Sequence, residues 1–278
     1  MTIIIRISPR GDTLTVRSAP PGFATPLTSV GGQGRVLCTP AFHSSAIQNG
    51  SLPLFLMPRS GTLIDNCPLS IITEVILSKC IIFCAAGFDG LLEPIGEGDF
   101  VIAADGGLRH TQALGLTPDC ILGDFDSLGY VPAGAKVFPT RKDDTDSMLA
   151  IREGLSRGYR AFTLYGALDG ERLDMTVANY QALMFLAREG ARGVLVGRRF
   201  LAAVVRNGSL EFPAGLDGTI SVFCLGKDAR GVTIRGLSYP LENAALTADF
   251  PLGVSNRFTG EPAEVTVKEG TLLILWER

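Results

Sequence analysis

Between residues 79 and 200, short apolar runs alternate with stretches of helical period. Cys80 to Ala86 is a continuous apolar run ending at Gly87, and Val101 to Ala104 is a second, ending at Asp105-Gly106-Gly107. Short runs without polar alternation suit strands covered on both faces, as in parallel sheets. Leu108 to Leu114 allows two helical turns, with Gly115 placed for the left-handed residue that ends a helix. Cys120 to Leu122 and Ala135 to Phe138 are further strands. A helix with Met148, Ile151 and Leu155 on one face then closes at Gly158. Ala161 to Tyr165 is the next strand. A second long helix opens at Asp174 or Thr176 and runs through Glu189 to Gly190, and Gly193 to Val196 follows as a strand. Strand and helix alternating at this spacing predict an α/β domain over 79–200, a mostly parallel sheet with flanking helices and right-handed crossovers.

Past residue 200 no helical period survives. Thr219 to Leu225, Val232 to Arg235, Ala263 to Val267 and Thr271 to Trp276 are short and β-branched or apolar. Asn207-Gly208, Lys227-Asp228 and Glu269-Gly270 punctuate them with turn residues. A small all-β sandwich domain over 201–278 is the expectation. Residues 1–78 differ from both. They hold eight of the sixteen prolines, and their only basic residues are five arginines, so little in them can build a core. Met1 to Arg6 and Thr13 to Arg17 suit short strands. The Arg-containing, Ser-rich, acid-poor character fits an organellar transit peptide, an unstructured leader or an upstream start codon. The expectation is a disordered, non-catalytic extension.

A net charge of −3 argues against a general nucleic-acid surface. The most apolar stretch, Pro68 to Phe88, is interrupted by Glu74 and Lys79, so no membrane span is expected. The six cysteines form no CxxC pair and only two histidines accompany them, which speaks against a zinc site. Cys80 and Cys84 read as buried free thiols, and a reducing cytoplasm is the location that fits best.

In a parallel α/β sheet the loops at the carboxyl ends of strands gather in one crevice. The spacing therefore brings Asp105, Asp124 and Asp126 to one place. Two carboxylates about 4 Å apart repel by roughly 4 kcal/mol at an effective dielectric of 20. A divalent cation such as Mg²⁺, held by carboxylates, waters and substrate phosphates, reverses that sign. Any one of these aspartates alone is explained by a turn or a cap. A second acidic cluster, Lys142-Asp143-Asp144-Thr145-Asp146, lies at a strand-to-helix junction. Asp144 or Thr145 is a good N-cap there, but three carboxylates beside Arg141 and Lys142 exceed capping and suit a metal–phosphate site. Arg172 suits bidentate bonding to phosphate, or an ion pair with Glu171 or Asp174. There is no Walker motif and no GxGxxG, His110 reads as a surface residue, and no Ser/His/Asp order suggests acyl transfer.

DGG, GDFDS, KDxTD, GxxxGxRxD…AN, and a β region with GLSYPL and GVSNRFTGEPAEV come in that order. Over residues 79–278 this resembles the thiamine pyrophosphokinase family. The resemblance implies transfer of the pyrophosphoryl group of ATP to the hydroxyl of thiamine with Mg²⁺, giving thiamine diphosphate and AMP. It also implies a homodimer with the thiamine pocket at the interface. By motif, Asp124, Asp126 and Asp146 correspond to metal ligands. Asp105 and Gly106 correspond to the phosphate site, and Asp143, Thr145 and Arg172 to contacts with ATP or the ordering of that site. Tyr239 falls where the family often places an aromatic against the thiamine ring, and Ser255 and Asn256 match its SN motif near the same pocket. Two departures stand out: the 166–172 loop is one residue longer than the usual form, and Met175 stands where His is common. The rival readings are another Mg²⁺-dependent pyrophosphokinase or phosphotransferase, and a non-catalytic thiamine-binding protein of the same fold.

Overall fold

The computed structural model describes residues 2–7, 14–19 and 73–278, with side chains from Ser78 onward. Strands β1 (Thr2–Ile7), β2 (Leu14–Ala19) and β3 (Thr73–Leu77) pair in the order β2-β1-β3, and the first two fall near the short strands expected there. The rest of 1–78, and with it the expectation of disorder, lies outside the described residues.

Six parallel strands form one end of the second sheet: β4 (Cys80–Phe83), β5 (Phe100–Ala104), β6 (Cys120–Gly123), β7 (Lys136–Val137), β8 (Ala161–Tyr165) and β9 (Arg192–Val196). β4 and β5 are buried along their whole length, as uninterrupted apolar runs require. Three helices connect them: α1 (Leu108–Ala113), α2 (Asp146–Ser156) and α3 (Leu173–Arg188). Thr145 caps α2, its Oγ1 accepting the Met148 amide at 3.2 Å, which decides between the two capping candidates. α3 begins at Leu173, a residue earlier than expected, with Asp174 in its first turn where a carboxylate complements the helix dipole. Asn179, Ala182, Leu183 and Leu186 are buried at i, i+3, i+4 and i+7, the stripe that holds α3 on the sheet. Truncating Leu183, 1% exposed, to alanine is worth about 2–5 kcal/mol.

The β region does not stand apart from this sheet. Its strands are β10 (Phe200–Arg206), β11 (Ser209–Phe212), β12 (Thr219–Cys224), β13 (Ala229–Arg235), β14 (Leu241–Leu246), β15 (Gly253–Arg257), β16 (Ala263–Thr266) and β17 (Thr271–Glu277). The turn 197–199 folds β10 back antiparallel to β9, and β17, β12 and β15 continue outward. The result is a ten-stranded sheet, β15-β12-β17-β10-β9-β8-β4-β5-β6-β7. β11, β16, β13 and β14 form a separate antiparallel sheet. Val205, Ile220, Val222 and Ile274 of the long sheet share a core with Phe212, Val232, Ile234 and Val265 of the short one. The sandwich therefore borrows one of its two layers from the sheet that carries the helices.

Strand order fixes where a ligand can bind. From β4 the chain moves to β5 on one side, and from β8 it moves to β9 on the other. The loops after β4 and β8 thus diverge and leave a crevice at their carboxyl ends, the switch point of a doubly wound sheet. Gly166, at φ +65°, lets these loops pass closely, since a Cβ there would lie 2.2 Å from the Ala86 carbonyl oxygen.

Candidate active site

A cleft of about 690 Å³ occupies the switch point. Cys84 to Gly87 and Gly166 to Arg172 supply its walls, with Asp105 and Asp146 on its floor side and Met175 and Asn179 from α3. Asp105, Asp124 and Asp146 each offer a carboxylate oxygen within 4.8 Å of the others. Asp105 follows β5, Asp124 follows β6 and Asp146 opens α2, so three separate connections converge. Gly123 permits the approach of the first two. At φ +147° it has no Cβ, and one would sit 3.0–3.1 Å from Asp105 Cβ, Cα and N.

Asp105 has φ +45° and Phe125, beside Asp124, has φ +60°. For non-glycine residues both are uncommon, and such strain concentrates at functional sites. Phe125, 2% exposed, anchors its loop in the core. Asp126 comes after that anchor and is exposed; it is not one of the converging three, although its amide lies 3.4 Å from Asp124 Oδ1. The structure thus brings Asp105, rather than Asp126, together with Asp124 and Asp146.

Charge in this group is unevenly balanced. Asp105 Oδ2 accepts a 2.5 Å hydrogen bond from Ser127 Oγ, while its Oδ1 is buried without a partner. Lys142 Nζ donates to Asp124 Oδ2 at 2.9 Å, and that bond holds the Asp124 carboxyl below the ordinary range. The same ammonium lies 3.1 Å from Asp146 Oδ1, but no hydrogen bond of good geometry closes there and the contact is coulombic. Burial, only partly offset by Lys142 and reinforced by Asp124 and Asp105, pushes the Asp146 carboxyl up. Burial works to lower the Lys142 ammonium, but its two carboxylate partners prevail and raise it. Hard oxygen donors, two of them buried and unsatisfied, are the donor set a small divalent cation requires.

Arg172 is exposed at the rim and bonded to Asp174 through Nη2–Oδ2 at 2.6 Å and Nε–Oδ1 at 3.3 Å. Asp143 is exposed, outside the converging three, and Gly106 is buried between Ala85 and Ser127. Two arginines that the motifs did not single out also line the cleft. Arg109 Nη2 donates to the Ser127 carbonyl at 2.6 Å, and the Arg198 amide donates to Asp169 Oδ2 at 2.6 Å. Arg198 lies just past the carboxyl end of β9, and that position is the signal in the sequence by which it can be found. Buried Asn179 links the elements: Ser147 Oγ donates to its Oδ1 at 2.8 Å, and its Nδ2 donates to the Ala167 carbonyl at 2.8 Å. One side chain thereby ties α2, which carries Asp146, to α3 and to the loop that leads to Arg172.

The other predicted set lies in the β region. Asn256, 4% exposed, accepts the Tyr239 amide at 2.9 Å and donates to the Tyr239 carbonyl at 2.7 Å. Its amide is thus spent on backbone, and the Tyr239 ring is left 67% exposed. Ser255, at φ +61°, donates its amide to Ser221 Oγ at 3.1 Å.

Relatives agree with this architecture. The thiamin pyrophosphokinase catalytic-domain model matches residues 94–195, and the vitamin B1 binding-domain model of the same family matches 209–272. A thiamine pyrophosphokinase of Bacillus subtilis is 24% identical over 184 residues, covering 63% of this chain and 85% of its own. The crystal structure of Bacillus subtilis thiamine pyrophosphokinase superposes with a TM-score of 0.61 at 22% identity, over 72% of this chain and 98% of that one. The Candida albicans enzyme does so at 0.58 and 16% identity, over 72% and 88%. With both of the family's domains matched in order over more than half its length, the chain belongs to the thiamin pyrophosphokinase family of enzymes.

Proposed function

We propose that this protein transfers the pyrophosphoryl group of ATP to the hydroxyl of thiamine, releasing AMP and thiamine diphosphate. The observation that carries the reading is the convergence of Asp105, Asp124 and Asp146 beside the switch-point cleft. These three would hold Mg²⁺. When bound, that ion supplies positive charge to the phosphate oxygens and orients them. Phosphoryl-type transfer asks the chain mainly for positioning and charge neutralisation. Arg172, Arg109 and Arg198 at the cleft walls supply the fixed cations for the polyphosphate. Thr145 caps the helix that delivers Asp146, exposed Asp143 contacts ATP, and Asn179 keeps α2 and α3 in register. The attacking hydroxyl oxygen bonds to the β-phosphorus and gives up its proton to water, as the bond from the β-phosphorus to the bridging oxygen breaks and that oxygen leaves with the electron pair on AMP.

In this reading residues 79–200 are the catalytic part and 201–278 the thiamine-binding part, with residues 1–78 a non-catalytic extension. Tyr239 stacks on the thiamine ring where two copies of the chain meet, and Ser255 and Asn256 shape that pocket. The exposed ring of Tyr239 supports this. Buried, unpaired Cys80, Cys84, Cys120 and Cys224 support a reducing, cytoplasmic setting. Among the described residues no helix is long and apolar enough to cross a membrane.

The test is purified protein with ATP, Mg²⁺ and thiamine, analysed for nucleotide and thiamine products. AMP and thiamine diphosphate in equal amounts are expected. ADP with thiamine monophosphate would make it an ordinary kinase, and no thiamine-dependent turnover would reject the reading.

A further inference from the structure

Lys142 has no part in the transfer described above, yet its side chain is only 13% exposed and points its charge into the carboxylate group. Its ammonium donates to Asp124 Oδ2 at 2.9 Å and lies 3.1 Å from Asp146 Oδ1. A lysine gives up about 1.5–2 kcal/mol of side-chain entropy when it is fixed, so a merely solvated one would not stay there. Two of the three carboxylates offered to a divalent cation are therefore engaged by a charge of the chain itself. Two cations drawn to the same carboxylates repel: at about 4 Å a divalent ion and an ammonium oppose each other by roughly 8 kcal/mol at an effective dielectric of 20, so an entering cation drives Nζ away. Displaced into water, Lys142 loses two anionic neighbours. Displaced toward a polyphosphate, its flexible stem and three donors find new ones.

We propose that Lys142 is a resident counter-ion that holds Asp124 and Asp146 together, competes with free divalent cation for them, and yields when the cation arrives with a nucleotide polyphosphate. Cation binding and nucleotide binding are thereby coupled through one side chain. The inference rests on the reading of Asp105, Asp124 and Asp146 as cation ligands.

Binding of Mn²⁺, a hard cation whose free-ion EPR signal reports occupancy, separates the two. The full chain is titrated with Mn²⁺ alone and with a non-hydrolysable ATP analogue present, as wild type, K142M, K142R and D146N. K142M should bind Mn²⁺ alone at least roughly tenfold tighter than wild type, about 1.4 kcal/mol, and should gain less from the nucleotide. Its cation-free melting temperature should fall and recover with Mn²⁺, whereas K142R, which keeps the charge, should melt near wild type. K142Q removes the same charge and replaces K142M if that variant does not fold. Unchanged or weaker Mn²⁺ binding in a folded charge-removing variant, with wild-type binding still lost in D146N, overturns the counter-ion role and leaves the cation site standing. Wild-type binding that D146N does not weaken, or no binding with or without nucleotide, rejects the cation site and the counter-ion role with it.

Discussion

Asp146→Asn keeps the shape of the α2 start and removes one charge from the converging carboxylates. At 4.8 Å, the outer limit of their separation, each carboxylate pair repels by about 3.5 kcal/mol at an effective dielectric of 20. Neutralising Asp146 relieves two such pairs, about 7 kcal/mol, and forfeits the 3.1 Å attraction to Lys142, about 5 kcal/mol. Cation-free stability should therefore rise by about 2 kcal/mol. Asp124→Asn relieves two pairs as well, about 7 kcal/mol, but forfeits the 2.9 Å attraction to Lys142, about 6 kcal/mol, and weakens the charged hydrogen bond that goes with it, worth about 1.5–3 kcal/mol, so it should lower stability. The pH dependence has opposite signs in the two variants. Burial raises the Asp146 carboxyl, so its folding contribution is fully present below about 3.8, the ordinary value, and is lost as pH rises through the raised one. Lys142 lowers the Asp124 carboxyl, so its contribution is present above that ordinary value and is lost as pH falls through the lowered one. Relative to wild type, Asp146→Asn should gain in melting temperature between pH 3.5 and pH 7, while Asp124→Asn should lose. Turnover with ATP, Mg²⁺ and thiamine should fall in both, by roughly 100–1000-fold if about 3–4 kcal/mol of charge stabilisation is removed. Melts at the two pH values without metal, with AMP release at pH 7 across Mg²⁺ concentrations, decide the matter. Near-normal turnover at low Mg²⁺ in Asp146→Asn, or shifts of the same sign in both variants, would refute the reasoning.

The grouping of Asp105 with Asp124 and Asp146 predicts that Asp105→Asn weakens Mg²⁺-dependent AMP release more than Asp126→Asn; equal losses in matched assays would contradict it. Tyr239→Ala should weaken thiamine binding by about 0.5–2 kcal/mol and leave ATP binding intact, and calorimetry with each ligand separately distinguishes this from a general loss of packing. Asn179→Ala removes the link between α2, α3 and the 166–172 loop and should cost about 1–3 kcal/mol of stability with a lower kcat, measured by melts and steady-state kinetics. A chain beginning near Ser78 should stay folded and active, and loss of soluble active protein would make the preceding residues structural.

What the sequence disclosed depended on how local the determining physics is. β5 and α1 follow from the run Val101–Ala104 and from the spacing up to Gly115, and each falls within a residue or two of its expected bounds. The cap at Thr145 and the stripe of α3 are equally local. The shared sheet was not legible, because β10 and β17 are distant in the chain and their pairing across Phe200–Glu277 is a long-range choice. Alternating patterns such as that of β12 fit either a separate sandwich or the edge of a longer sheet. For the same reason, motif and strand-end reasoning selected Asp124 and Asp126 together, two residues apart. Which of two neighbouring aspartates enters the group depends on the burial of Phe125 and on the space at Gly123, and both are properties of the packed core.

Several unfavourable features lie within this one region, and their coincidence has a physical meaning. Positive φ at Asp105 and Phe125, a buried oxygen without a partner on Asp105, and a like-charge group each oppose folding. None is required by the sheet, since β5 and β6 pair regularly up to Ala104 and Leu122. They persist because the strands beneath are fully buried, with Ile82, Ile102 and Leu164 at 0% exposure, and the connections leaving those strands are held by that core. A rigid floor can keep carboxylates closer than they would settle in a loose loop. Such preorganisation is what electrostatic catalysis of a polyphosphate reaction needs, because the charges then cost no reorganisation when the reacting groups arrive.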